Sequence, residues 1–228
     1  MIMINMNDLK NSLIQLIGTE YFHKEAVAIQ YGNINDGNDI DILIIQKGET
    51  TTPFFVAGLL DILVLSIENC YRLIEVLDPL VVEPLLTGKY LLGDKGTWLS
   101  LLNLLASIKS SQLCVQHAIQ RSFDSSITSL NYWHDYVKNK KEEFLYWSFN
   151  NFSFSISYMS TAHYYSQPGL SAIDLNSLIT SENILFPEFW SYRDRMKKEN
   201  RRVDINIYNI WQNKWMEYIS SFERPREL

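Results

Sequence analysis

The stretch from residue 31 to residue 46, YGNINDGNDIDILIIQ, constrains the fold of this 228-residue chain most. A turn rich in Gly and Asn leads into an apolar segment that begins Asp39-Ile40-Asp41. Side chains on a strand alternate between its faces, so we expect Asp39 and Asp41 on one face, about 7 Å apart, and Ile40 on the other. Two such carboxylates repel each other and resist the loss of water, so they favour a cation, a shared proton or solvent. Taken alone, the pair also fits a surface turn with two solvated aspartates.

A third acid and a glycine accompany this pair. Gly32 directly follows an apolar segment at residues 26–31, which we interpret as the first strand. Asp61 begins another apolar run, within a β-rich segment at residues 54–66 that carries the predicted third strand. The order is therefore a glycine turn, two aspartates on one strand, and one aspartate on a neighbouring strand.

This order resembles the nucleotidyltransferase superfamily that includes DNA polymerase β, and especially its small bacterial antibiotic and minimal nucleotidyltransferases. The resemblance covers roughly the first 95 residues, with residues 84–92 as the segment that closes the domain. It implies an enzyme that transfers a nucleoside monophosphate from an NTP to the hydroxyl of a small antibiotic-like molecule, a protein or a tRNA. Asp39, Asp41 and Asp61 would bind two Mg²⁺ ions, and Asp61 would also take the proton of the acceptor. Gly32 and Asn33 would contact the triphosphate.

One departure from the family pattern leaves alternatives open. Asn33 stands where the family usually has Ser, and only residues 33–38 separate Gly32 from Asp39. The short helix that usually follows this turn, whose N–H groups cradle phosphates, would therefore be cut down. This favours a non-catalytic nucleotidyltransferase-like protein that binds a partner, such as an antitoxin. A structural helical interaction protein is a second alternative, and the coincidence of Gly32 with three aspartates argues against it.

Composition narrows the class of protein. The net charge of −6 argues against a protein that attracts nucleic acid by its overall charge. A tRNA therefore remains only as an acceptor of the transferred nucleoside monophosphate. Cys70 and Cys114 have no metal-binding or redox spacing, so we interpret them as reduced core residues of a cytoplasmic protein. No stretch is long and apolar enough to predict a membrane span.

The element pattern changes near residue 96. Before it, strands at residues 26–31, 39–46 and 54–66 alternate with helices at residues 7–22, 67–77 and 80–87, and residues 90–92 form a candidate edge strand. After it, the pattern is helical, at residues 97–123, 129–139, 141–166, 174–181, 188–200 and 204–222. We therefore predict an α+β nucleotidyltransferase-like domain with a mixed sheet at residues 1–95, and an all-α helical bundle at residues 96–228. Aromatic side chains at positions 132, 133, 146 and 147 are expected in the core of that bundle.

Overall fold

The computed structural model describes residues 11, 13, 26–31, 40–48, 54–57, 60–167, 169–171, 185–199 and 202–221. Gly32, Asn33 and Asp39 lie outside the described residues. So do most of the predicted helix at residues 7–22 and all of the predicted helix at residues 174–181.

The predicted fold class, an α+β arrangement followed by helices, is confirmed. Among the described residues a five-stranded mixed sheet has the order β3-β4-β2-β1-β5. The central pair β2 and β4 is parallel, and the other neighbouring strands run antiparallel. The strands are β1 (Val27–Tyr31), β2 (Ile40–Gln46), β3 (Phe54–Ala57), β4 (Leu60–Ser66) and β5 (Lys89–Gly93).

The prediction of one strand at residues 54–66 is wrong, because that segment forms two strands. β3 and β4 pair antiparallel, with Ala57 opposite Leu60. Gly58 stands between the two strands in the sequence, but the apolar residues on both sides of it made the segment resemble one buried strand. The edge position predicted for residues 90–92 is confirmed, because β5 lies at the end of the sheet beside β1.

The two faces of the sheet differ in character. Ile42 and Ile62, which are neighbours across β2 and β4, belong to one aliphatic cluster together with Leu13. Alternation places Asp41 and Asp61 on the opposite face. One face of β2 and β4 is therefore mainly aliphatic, whereas the other carries an acid near the start of each strand and becomes buried further along, at Leu43, Ile45 and Leu65.

The described residues form seven helices. They are α1 (Ile67–Glu75), α2 (Pro79–Thr87), α3 (Lys95–Ser107), α4 (Gln112–Asn139), α5 (Glu142–Tyr165), α6 (Pro187–Lys198) and α7 (Ile205–Ser221). The predicted helix at residues 97–123 is in fact interrupted, because Ile108 is extended and Ser111 lies before the first turn of α4. The predicted break before residue 129 is absent, and α4 continues to Asn139.

A buried aspartate fixes the connection between α1 and α2. Asp78 caps α2 by accepting a hydrogen bond from the Leu80 N–H at 2.8 Å. Its second carboxylate oxygen lies 2.6 Å from Nε2 of His117, on α4. The Tyr165 hydroxyl, on α5, donates to the carbonyl of Leu77 in the same connection. Two long helices thus hold the start of α2 in place.

The chain forms two compact units. The first contains residues 1–117 and 164–181, and the second contains residues 118–163 and 182–228. The division falls inside α4 and α5 and does not coincide with the boundary between residues 95 and 96, which stays a prediction. Cys70 and Cys114 are buried and free of disulfide bonds, as expected. None of the helices in the described part of the chain is long and apolar enough to cross a membrane.

The expectation that all four bundle aromatics are core residues is wrong: Tyr132 and Trp133 are only half-buried, and the other two are exposed. Tyr146 is 54% exposed and Trp147 is 43% exposed. The aromatic core is instead built around Tyr208, whose ring makes edge contacts with Phe149 and Phe152. Consecutive residues on a helix point about 100° apart, so adjacent aromatics such as Tyr146 and Trp147 do not both have to face the core.

Replacing Asp78 by Ala should destabilise the protein by about 2–4 kcal/mol, because the change removes an N-cap and leaves a half-buried His117 without its carboxylate. Asp204→Ala is the matched control. Asp204 also caps a helix, accepting from the Asn206 N–H at 2.9 Å, but it is exposed. The control should lose only about 1 kcal/mol. Chemical denaturation of both variants measures this difference, and equal losses would show that the contact with His117 contributes nothing.

Candidate functional site

Two of the predicted site residues lie side by side on the sheet. In the parallel pairing of β2 and β4, Asp41 is directly opposite Asp61. Neighbouring strands are about 4.8 Å apart, and residues in register share a face. Both aspartates are only partly buried, one residue into their strands. The register therefore brings two carboxylates from distant parts of the sequence to one place at the edge of the aliphatic core.

A tyrosine extends this row onto a third strand. Tyr31, the last residue of β1, pairs with Asp41 in the antiparallel ladder. Burial raises the pKa of its hydroxyl, and the negative charges of Asp41, Glu83 and Asp61 raise it further. The Tyr31 hydroxyl is therefore a neutral hydrogen-bond donor at physiological pH, which suits a position among carboxylates.

Glu83 on α2 is an acid of this region that sequence reasoning did not identify. It is partly buried, and its pKa is raised first by that burial and then by the charge of Asp41. The C-terminal end of α2 lies close to β1, since a Cβ on Gly88 would meet Cγ2 of Ile29 at 2.4 Å. The sequence gives only a weak indication that Glu83 belongs to the site, because Glu83 is a single acid among the apolar residues of a short helix.

The described residues contain only part of the predicted site. Asp41 and Asp61 come together, whereas Gly32, Asn33 and Asp39 belong to the turn outside the described residues. Among the residues that the structure describes, no three acidic, His or Cys side chains are arranged to hold a metal ion together. Asp39, the third predicted ligand, lies outside the described residues, so the structure does not place it relative to this pair.

The donor chemistry of the pair fits a hard divalent cation. Carboxylate oxygens are the ligands that Mg²⁺ prefers, and proteins commonly hold it with one or two carboxylates while water and substrate phosphates complete the shell. Asp41 and Asp61 supply two carboxylates, and burial raises the pKa values of Tyr31 and Glu83, with a smaller further increase from the negative charge of Asp41. A cation would reduce the repulsion among these groups.

Comparison with known proteins identifies no family for this chain. No family model matches the chain, and no curated protein matches it. Among solved structures, the chain is similar to a nucleotidyltransferase-like protein from Exiguobacterium sibiricum 255-15, with 12% sequence identity and a TM-score of 0.35 over 76% of this chain. The chain spans 63% of the length of that protein. A similarity at this level assigns neither a family nor an activity.

Replacing Glu83 by Gln should stabilise the protein at neutral pH. A carboxyl group whose pKa is raised on folding contributes stability below its ordinary pKa, about 4.3, and loses it as the pH rises through the folded value. Because glutamine does not ionise, the variant does not lose this stability. Its melting temperature should therefore exceed that of the parent at pH 7 and approach it near pH 4. Melting curves across this range test the sign, with exposed Glu188→Gln as the control. A Glu83→Gln variant that melts below the parent at pH 7 would contradict the electrostatic account.

Proposed function

We propose that this protein is a metal-dependent nucleotidyltransferase, which transfers a nucleoside monophosphate from an NTP to a hydroxyl group and releases pyrophosphate. The observation that carries the proposal is the register of β2 and β4, which sets Asp41 beside Asp61. Such a pair, at the start of two adjacent strands and partly open to solvent, suits the binding of Mg²⁺ and the phosphates it accompanies.

Each residue has a defined role in this proposal. Asp39 and Asp41 would bridge two Mg²⁺ ions, and Asp61 would be a ligand of one of them. The ions, when bound, would supply positive charge that neutralises the phosphates. Asp61 would also accept the proton of the attacking hydroxyl. Backbone N–H groups near Gly32, and the Asn33 side chain, would bind the triphosphate.

The acceptor is proposed by chemical class. It is a hydroxyl on a small antibiotic-like molecule, on a protein or on a tRNA. The overall charge of −6 gives no general attraction for nucleic acid, so a tRNA would have to be bound through a local surface. Phosphoryl-type transfer depends mainly on charge neutralisation and alignment, which places few demands on the acceptor beyond a positioned hydroxyl.

The short turn between Gly32 and Asp39 favours a second candidate, a non-catalytic nucleotidyltransferase-like module that binds a partner, as an antitoxin does. Residues 33–38 leave little room for the helix that usually presents N–H groups to phosphate. The two candidates differ in whether the protein binds an NTP, and direct measurements separate them.

Asp41→Asn should have opposite effects with and without a divalent ion. The amide removes one charge from a repelling group at almost constant volume, so the metal-free variant should melt at the same temperature as the parent or higher. Mg²⁺ or Mn²⁺ should stabilise the parent by about 1.4 kcal/mol at ten times its Kd, and the variant should lose most of this response. Melting curves with and without the ion give both results.

The control for this experiment is Asp124→Asn, at an exposed position on α4, which should keep the full response to the ion. A metal-free Asp41→Asn protein that melts lower would identify Asp41 as a structural hydrogen-bonding residue. A parent protein that does not respond to either ion would remove the main support for the enzyme.

Binding of NTPs tests the turn directly. Calorimetry with ATP, GTP, CTP and UTP in the presence of Mg²⁺ should detect at least one of them. Gly32→Val should abolish that binding, because a Cβ would keep the phosphates away from the backbone. Gly48→Val controls for general effects of glycine replacement: a Cβ at Gly48 would meet no described atom within 4 Å, but its φ of +91° strains the backbone of the variant. The variant should therefore melt lower than the parent and still bind the nucleotide. Absence of binding by all four nucleotides at millimolar concentration would favour the non-catalytic candidate.

A further inference from the structure

Arg193 on α6 is a partly buried cation that forms no ion pair with any described carboxylate. Its Nε is buried and has no hydrogen-bond partner among the described residues. Burial lowers the pKa of this guanidinium, and the electrostatic effects of Asp194 and Tyr146 offset that shift only in part. The guanidinium carbon lies 5.2 Å from the centre of the Trp190 ring. Because buried charges are normally paired, a cation held over a ring in this way favours an anionic ligand.

A series of four aromatic rings begins beside this cation and passes between α5 and α4. The ring centres of Tyr146 and Trp147 lie 5.5 Å apart, and those of Trp147 and Tyr132 lie 6.5 Å apart. Phe144 follows, with its ring 6.4 Å from that of Tyr132. Tyr146 and Trp147 are exposed and the other two are half-buried, so the series presents ring surface to solvent. Apolar surface that continues over several exposed residues is typical of an interaction site.

A second cation lies at the other end of the series. Nζ of Lys141 is 5.9 Å from the centre of the Phe144 ring. Its contact with Glu143 is long, at 3.9 Å, and exposed, so the ammonium group can exchange this partner for another anion. We use the name aromatic–cationic row for Lys141, Phe144, Tyr132, Trp147, Tyr146, Arg193 and Trp190. A cation thus lies over a ring at each end of the row.

We propose that the aromatic–cationic row binds single-stranded RNA, with bases stacked on its exposed rings and a phosphate group on Arg193. Proteins that bind single strands combine cations, which follow the backbone, with aromatic side chains on which bases stack. An exposed ring can stack only on a base that has left its own stack, and RNA presents such bases in loops, bulges and ends. The guanidinium adds a planar fork of donors that matches a phosphate.

The row supplies a local surface for RNA on a protein whose overall charge of −6 gives no general attraction. The acids next to it in the sequence, Glu142 and Asp194, are exposed, so solvent and salt screen their charge. Trp, Tyr and Arg also predominate in protein interfaces, but cations at both ends of the row favour a polyanion. All seven residues belong to the second unit, so RNA binding there does not depend on the proposed transfer of a nucleotide.

Fluorescence anisotropy of a short labelled RNA, measured on the full chain without NTP or divalent ions, tests the proposal. The single strand should bind, with an affinity that falls as salt rises, because binding releases counterions from the phosphates. The same RNA in a duplex should bind more weakly, because its bases are already stacked. No binding of the single strand, or equal binding of the duplex, would overturn the proposal. Tighter binding of single-stranded DNA of the same sequence would overturn the assignment to RNA.

Replacement of an exposed ring tests the stacking. Trp147→Ala should weaken RNA binding about tenfold, as the loss of one stack between a base and a ring does. Phe154→Ala is the matched control, because Phe154 is an equally exposed ring on α5 outside the row, and this variant should bind like the parent. A Trp147→Ala protein that binds RNA as tightly as the parent would contradict the proposal, and the exposed rings would then fit a protein partner instead.

Replacement of the guanidinium tests the phosphate contact. Arg193→Gln should weaken RNA binding and reduce its salt dependence by about one released ion. Arg195→Gln is the control, because Arg195 is exposed on the same helix and lies outside the row. Melting curves establish that both variants are folded. Equal salt dependence in Arg193→Gln and the parent would show that Arg193 does not bind a phosphate, and would overturn this part of the proposal.

Discussion

The parallel pairing of β2 with β4 is the interaction on which the candidate site depends. Both strands are aliphatic, and their neighbouring residues Ile42 and Ile62 are fully buried on one face. A shift of the register by one residue would turn Asp41 into that aliphatic cluster, at the cost of burying a charge, so burial of the core and partial exposure of the acids fix the register together. The same register sets Asp41 beside Asp61, and the energy that holds two like charges together comes from the aliphatic cluster on the other face.

The surroundings of the pair are adapted to negative charge. Tyr31 presents a phenol whose raised pKa keeps it neutral, and Glu83 has a raised pKa that favours its protonated form. Both effects begin with burial and are increased by Asp41. Asp78, at the other end of α2, is held by its cap hydrogen bond and by His117. The helix that carries Glu83 is thus positioned by contacts outside the acidic row.

The sequence predicts the positions of Asp41 and Asp61 on the sheet better than it predicts the helical half. The alternation in the segment containing Asp41 assigns its faces correctly, and the apolar run after Asp61 marks a strand that proves to be its neighbour. Glu83 was missed because its proximity to Asp41 depends on how α2 packs on the sheet, which no local pattern encodes. The sequence does carry a turn residue between β3 and β4, Gly58, but the apolar residues on both sides of it outweigh that signal, whereas the interruption before α4 carries neither Gly nor Pro. The exposure of Trp147 reflects helix rotation, which tertiary packing decides.

The central claim is that Asp41 and Asp61 bind a divalent cation together. A crystal of the protein soaked in Mn²⁺ tests it most directly, because the anomalous scattering of manganese locates the ion without reference to the surrounding atoms. The account predicts a peak within about 2.5 Å of a carboxylate oxygen of each aspartate. A soaked crystal with no peak at this position, or with a peak that contacts neither Asp41 nor Asp61, would contradict it.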